Sequence, residues 1–285
     1  MRQGDAPAIV VIGDAALDRT IEIDPASAAD EKRTVTNSRV ELGGTGANIA
    51  TQARRLGAAV ELASTVGDDD EGSIIVQHLR AAGVGVRLVR SLPGASTRAT
   101  IVLDDPRRVY VEPGVAGAVD VGPADLGQAD LIVVSYAPAL VPRLVAAGLG
   151  DRLMVGVEHW MVGDVALRAA LLHVRWIVTN AEGRRALQAA GDLPRIRATV
   201  VATDGARLVR AFSGGEEVAA VEPPRVVAVD PTGAGDAFAG TLAHALAART
   251  PLHLALRRAS TAGALATTRI GAQAGQAEAA ALPSA

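Results

Sequence analysis

Leu153-Met154-Val155-Gly156-Val157, Trp176-Ile177-Val178-Thr179 and Thr199-Val200-Val201-Ala202 are short apolar runs, and between them the apolar spacing turns helical at about 164–173 and 183–190. A strand without polar alternation is buried on both faces, as a parallel sheet requires. Working outward, Ala8 to Ile12, Val60 to Val66 and Leu131 to Val134 repeat the pattern, with helix candidates at about 46–56, 70–82 and 139–148. This alternation predicts a doubly wound α/β sheet. Two stretches break the rhythm. Residues 18–24 and 34–42 alternate between the first strand and its helix, and 97–103 with 107–112 reads as a hairpin turning at Asp104-Asp105-Pro106. We expect a small β lid built from these two inserts, at about 18–42 and 96–112, on a single domain spanning 1–285. Two helices at about 234–248 and 252–268 close the chain, and the Ala-rich tail from Ala272 is assigned no structure.

With 285 residues, 49% of them hydrophobic and 21% charged, the chain can bury a sizeable core. A net charge of -3 with interspersed signs offers no footprint for nucleic acid or an anionic membrane. The absence of Cys removes disulfides, thiolate metal sites and cysteine nucleophiles, and fits a cytoplasmic setting. Lys32 is the only lysine and sits in the polar run Asp30-Glu31-Lys32-Arg33, which excludes a P-loop and a protein-kinase lysine. His78, His159, His173, His244 and His253 are scattered without metal-ligand spacing.

Chemistry concentrates in two segments. In Asp230-Pro231-Thr232-Gly233-Ala234-Gly235-Asp236 an extended run, Val226 to Val229, gives way to a helix through small residues. Small residues at a helix start let backbone N–H groups approach an anion, which the dipole also favours. A carboxylate there would repel a phosphate, so Asp236 reads either as a base taking a proton from an attacking hydroxyl or as a first-turn acid favoured by the dipole. In Gly43-Gly44-Thr45-Gly46-Ala47-Asn48, glycines at a β-to-helix transition allow close approach to a polar ligand, and Asn48 offers donor and acceptor. A dinucleotide-binding turn is the competing reading, but Ile49 stands where its third glycine belongs.

Together the two segments resemble the signatures of the PfkB, or ribokinase-like, family of carbohydrate and nucleoside kinases, with Gly57 and Gly67 at the family's spacing. The resemblance runs from about residue 8 to about 272. It implies an α/β ribokinase-like three-layer sandwich with a mostly parallel central sheet and a small β-sheet lid. It also implies phosphorylation of a hydroxymethyl group by ATP, with Mg2+ and, in many members, a stimulating K+. Asp236 is then the catalytic base, and Gly233, Ala234 and Gly235 supply N–H groups to the transferred phosphoryl. Asp14, Asp18, Gly43, Gly44 and Asn48 fall to the sugar, and Asn180, Thr203, Gly205 and Gly271 to the nucleotide. Asp230 and Thr232 border a monovalent cation. The family's magnesium-linked acid usually lies three positions after the Asn; here that position is Gly183, and Glu182 comes one residue early. Tyr136 and Thr45 replace residues typical of ribokinases proper, which weighs against ribose. Arg98, on a lid strand, is a candidate grip for an anionic substrate group. A nucleoside kinase of the same fold and a weakly catalytic sugar- or nucleotide-binding regulator remain alternatives, and the lid is a candidate homodimer face.

Overall fold

A computed structural model describes residues 6–24, 33–104 and 107–284. In chain order the elements are β1 (Ala8–Ile12), β2 (Ala16–Ile23), β3 (Val35–Gly43), α1 (Thr45–Arg55), β4 (Ala59–Gly67), α2 (Asp70–Ala81), β5 (Val89–Leu92), β6 (Ala99–Asp104) and β7 (Arg107–Glu112). They continue as β8 (Leu131–Val134), α3 (Leu140–Ala146), β9 (Leu153–Val157), α4 (Val165–Leu171), β10 (Trp176–Asn180), α5 (Ala181–Ala189), β11 (Thr199–Thr203), β12 (Val209–Ser213), β13 (Glu216–Val221), α6 (Ala234–Ala247) and α7 (Leu252–Ala266).

Nine strands form the main sheet, ordered β13-β12-β11-β10-β9-β8-β1-β4-β5. Pairing is parallel from β11 to β5 and antiparallel at β11–β12 and β12–β13. β1 shows why its apolar run needs no alternation: Ile9 and Val11 enter one core, Val10 and Ile12 the other. The first core lies under α1, α2, α6 and α7 and the second under α3, α4 and α5, giving three layers.

The chain runs outward from β1 to β4 and β5, then returns to β8 on the other side of β1. The β1–β8 boundary is thus a topological switch point, where ligands bind beyond the carboxyl ends of the strands. A second sheet, ordered β3-β2-β6-β7, rises from that edge. It is mixed, since β2 pairs in parallel with β6 between two antiparallel pairs. Lys32, the stretch 25–32 and the Asp105-Pro106 turn lie outside the described residues.

Three sequence expectations change. The outer strands β5, β12 and β13 are absent from the expected set: β5 and β13 are the two edges and largely exposed, and β12, inside β13, buries only Val209 and Ala211. Gly214 and Gly215, both at positive φ, make the two-residue turn joining β12 to β13, a signal that was available in the sequence. The run Val226 to Val229 joins neither sheet. The Val229 and Asp230 N–H groups both donate to Thr267 O, at 2.7 and 3.0 Å, and Val227 is 86% exposed. Finally, the tail after α7 is ordered against α1, with Ala272, Gln276 and Ala277 buried.

Candidate active site

The carboxyl ends of β8 to β11 and the start of α6 enclose a cavity of about 200 Å³. Its polar lining includes Thr45, Glu158, Asn180, Thr203 and Asp236, above apolar walls such as Met154, Val178 and Phe238.

Asp236 stands in the first turn of α6, whose cap, Gly233, has φ +77°. The Ala234 N–H is spent on Pro231 O at 3.3 Å, whereas those of Gly233, Gly235 and Asp236 have no backbone carbonyl partner among the described residues. Of the expected 233–235 donors only Ala234 is taken up within the protein, and Asp236 adds a further N–H. Asn48 Nδ2 donates to Asp236 Oδ2 at 2.8 Å. Enclosure by protein pushes the Asp236 carboxyl up to about 7; Asn48 opposes the rise, and Asp14, Asp18 and Glu158 add to it. A carboxylate poised there suits a general base at neutral pH. Because the base works only ionised, kcat/KM is expected to fall about tenfold per pH unit below about 7. A pH–rate profile checks this, and a profile flat down to pH 5 would remove the assignment.

Asp14 is 2% exposed and ties α1 to the end of β1: its Oδ1 accepts from the Gly46 N–H at 3.2 Å and its carbonyl from the Ala47 N–H at 3.0 Å. Its Oδ2 lies 3.6 Å from Arg98 Nε, a buried nitrogen that makes no hydrogen bond among the described residues. Burial raises the Asp18 carboxyl, while Thr100 and Arg98 pull it down. Asp18 lies against Gly43, where a Cβ would collide with its carboxylate. Gly44, at φ +87°, serves packing as well: a Cβ there would stand 2.7 Å from Ala15 Cα.

At the end of β10, Asn180 spends both ends of its amide within the protein. Its Oδ1 caps α5 by accepting from the Gly183 N–H at 2.8 Å, and its Nδ2 donates to Glu158 Oε2 at 3.1 Å. Thr203 borders the cavity, and Gly205, at φ +58°, occupies an exposed turn. Gly271, at φ +96°, donates its N–H to Asp230 Oδ2 at 2.9 Å; Asp230 Oδ1 accepts from Thr232 N and Oγ1 at 3.0 and 2.7 Å. This carboxylate thus staples the loop before α6 to the turn after α7.

Glu182 is exposed, 3.6 Å from His159 Nδ1, and is not part of the cavity lining. No side chain fits at position 183, where a Cβ would run into Thr179 Oγ1 and stand 2.9 Å from Val157 O. The carboxylate that lines the cavity besides Asp236 is Glu158, which directly follows β9 at the carboxyl end of the sheet and is absent from the expected site. Magnesium binds through one or two carboxylates plus substrate phosphates. Glu158 fits that role as a lining carboxylate, and among the described residues no group of three His, Cys, Asp or Glu forms a larger donor set.

Tyr136 also lines the cavity, with Trp160 beside it and outside the lining. Tyr136 holds a left-handed φ of +56°, its ring centroid 6.1 Å from that of Trp160 and 5.9 Å from Arg98 Cζ. Strain of this kind persists where the surroundings enforce it, commonly at ligand sites.

The family model for pfkB family carbohydrate kinases matches residues 6–149 and 174–279. The chain is 29% identical to a ribokinase of Bacillus subtilis over 94% of its own length and 95% of that protein's. Its fold is similar to Arabidopsis thaliana ribokinase, with TM-score 0.81, 21% identity and 97% of each chain covered. It is also similar to a Burkholderia thailandensis nucleoside kinase, with TM-score 0.77, 21% identity, and 96% of this chain and 95% of that one covered. Among the described residues no helix is long and apolar enough to cross a membrane.

Proposed function

The chain belongs to the pfkB family of carbohydrate kinases, and from that premise we propose that it passes the γ-phosphoryl group of ATP to a hydroxymethyl group of a small sugar. The observation that carries this reading is Asp236, a base raised to about 7 at the cavity floor, beside free N–H groups at the start of α6. Asp236 takes the proton as the acceptor oxygen attacks the γ-phosphorus. The O–P bond to the acceptor forms, the bond to the β-phosphate oxygen breaks, and ADP leaves. The Gly235 and Asp236 N–H groups hold the charge on the transferred group, and such donors are worth roughly 10²- to 10³-fold each. Magnesium neutralises phosphate charge in this chemistry, and Glu158 would hold it. Asp14 and Asp18 orient the acceptor hydroxyls, and Thr203, Gly205 and Gly271 border the nucleotide. K+ belongs beside the Asp230–Thr232 loop. The smaller sheet acts as the lid of a single cytoplasmic kinase domain, and its exposed Val35, Val40, Tyr110 and Val111 pair with a second copy.

The Tyr136–Trp160 contact favours a second reading, in which a nucleobase stacks on this aromatic pair and the acceptor is a nucleoside. The Burkholderia relative was solved with inosine and the Arabidopsis one with ribose and ATP. ADP release over a panel of sugars, sugar acids, sugar phosphates and nucleosides, with phosphorus NMR of the product, decides between them. Turnover of a sugar without a base is expected. Exclusive turnover of nucleosides installs the second reading, and ligand binding without ADP release overturns both.

A further inference from the structure

The segment after α7 turns back across α1. Gln52 of α1 clamps Ala277, donating from Nε2 to its carbonyl at 3.0 Å and accepting from its N–H at 3.1 Å. Gln276 Nε2 donates to Asn48 O at 2.9 Å. These contacts hold backbone. Gln273 differs, because its Nε2 donates at 2.9 Å to Asn48 Oδ1, on the side-chain amide whose Nδ2 donates to Asp236. We propose that Gln273 is a positioning residue for the base: its donor end keeps the Asn48 amide turned so that an N–H, and not the carbonyl, meets Asp236.

The physical reason lies in what each group can do. An ionised carboxylate only accepts, whereas an amide donates at one end and accepts at the other. A reversed Asn48 would set Oδ1 against a carboxylate oxygen, an arrangement that needs a proton on Asp236. A donor on the far side of Asn48 therefore selects the orientation that suits an ionised base. Asn48 is 4% exposed, so solvent competes little for its Oδ1. The titratable groups facing Asp236 from other elements offer no substitute. Asp14 after β1, Asp18 on β2 and Glu158 after β9 all oppose its ionisation, as an ionised Tyr136 after β8 would, and the nearby cation Arg98 pairs with Asp14. Among the described residues Asn48 is the side chain whose hydrogen bond to the carboxylate favours its charged form.

The inference rests on Asp236 acting as the base, and Gln273→Leu tests it. One lost hydrogen bond predicts an acid limb raised by about 0.5 to 1 pH unit, hence kcat/KM lower by about 2- to 5-fold at pH 7 and about 3- to 10-fold well below it, with the KM for ATP unchanged. Interacting residues are non-additive, so in an Asn48→Ala background Gln273→Leu should cost nothing further. Equal costs in both backgrounds, or an unmoved acid limb, overturn the proposal. Should Leu disturb the tail, Gln273→Met repeats the test. A readout independent of turnover is the Asn48 side-chain amide signal in 15N-labelled protein, identified among only three Asn by its loss in Asn48→Ala. It should titrate with Asp236 and shift its midpoint upward in Gln273→Leu; coincident midpoints overturn the proposal. Wild-type turnover in the same series reports separately on the kinase reading, which can fail while the amide titration still decides the role of Gln273.

Discussion

Turnover of Asp236→Asn falls about 10²- to 10⁴-fold, the range for removal of a general base, while ATP affinity holds. The substitution keeps the size of the side chain and leaves Asn48 Nδ2 an acceptor in the new Oδ1. What it removes is the site that takes the proton. Stability moves the other way. A carboxyl raised from the ordinary aspartate range to about 7 binds its proton more tightly in the folded protein than in the unfolded chain. The stabilisation linked to that proton is full at low pH and disappears as the pH rises through about 7. An asparagine escapes the penalty of a buried charge, so at pH 8 the thermal midpoint of the variant lies at or above that of the wild type. Coupled ADP release, nucleotide calorimetry and a melting curve at pH 8 measure the three quantities. Wild-type turnover would remove Asp236 from the mechanism, and a lowered midpoint would assign the loss to misfolding.

The second large effect is expected at Gly233. At φ +77° a side chain is strained by roughly 1–2 kcal/mol. A Cβ there would also strike Ala272 O and stand 2.8 Å from Ala272 Cα, in the turn that leads into the tail over α1. Gly233→Ala should therefore lower stability by about 2–4 kcal/mol, the strain plus overpacking against backbone. Displacing the first turn of α6 should reduce turnover about 10²- to 10³-fold through its misplaced N–H groups. Gly235→Ala is the control. Its Cβ would meet nothing within 4 Å, so the melting temperature should stay, while a methyl on the cavity lining raises the KM for a ligand. Equal stability losses at 233 and 235 would show that backbone conformation and crowding by Ala272 are not what position 233 requires.

Much of the architecture was legible because it rests on local patterns. The apolar runs of β1, β8 and β9 each fill both cores, so their burial shows in consecutive residues. The glycines around 43–46 and 233–235 mark both signature turns, since there is no room for a Cβ against the Asp18 carboxylate at Gly43 or against backbone at Gly44 and Gly233. The edge strands β5 and β13, and the short β12 inside β13, carry no such run of consecutive buried apolar residues. Glu158 was readable from its place after an apolar strand, but attention to the position three residues beyond Asn180 drew the acid toward Glu182. Only the packing of Gly183 on Thr179 and Val157 shows why that position cannot carry a carboxylate.

By itself the amino-acid order determined the alternating α/β layers, the two glycine-rich turns and the candidate base, because periodicity, backbone freedom and residue chemistry are properties of neighbouring residues. The tertiary structure alone decided how Asp236 is charged, which carboxylate faces the cavity and what holds Asn48 in place. Those depend on desolvation and on contacts between residues as distant as 48, 236 and 273, and such contacts exist only once the sheet edge, α6 and the returning tail have been brought together.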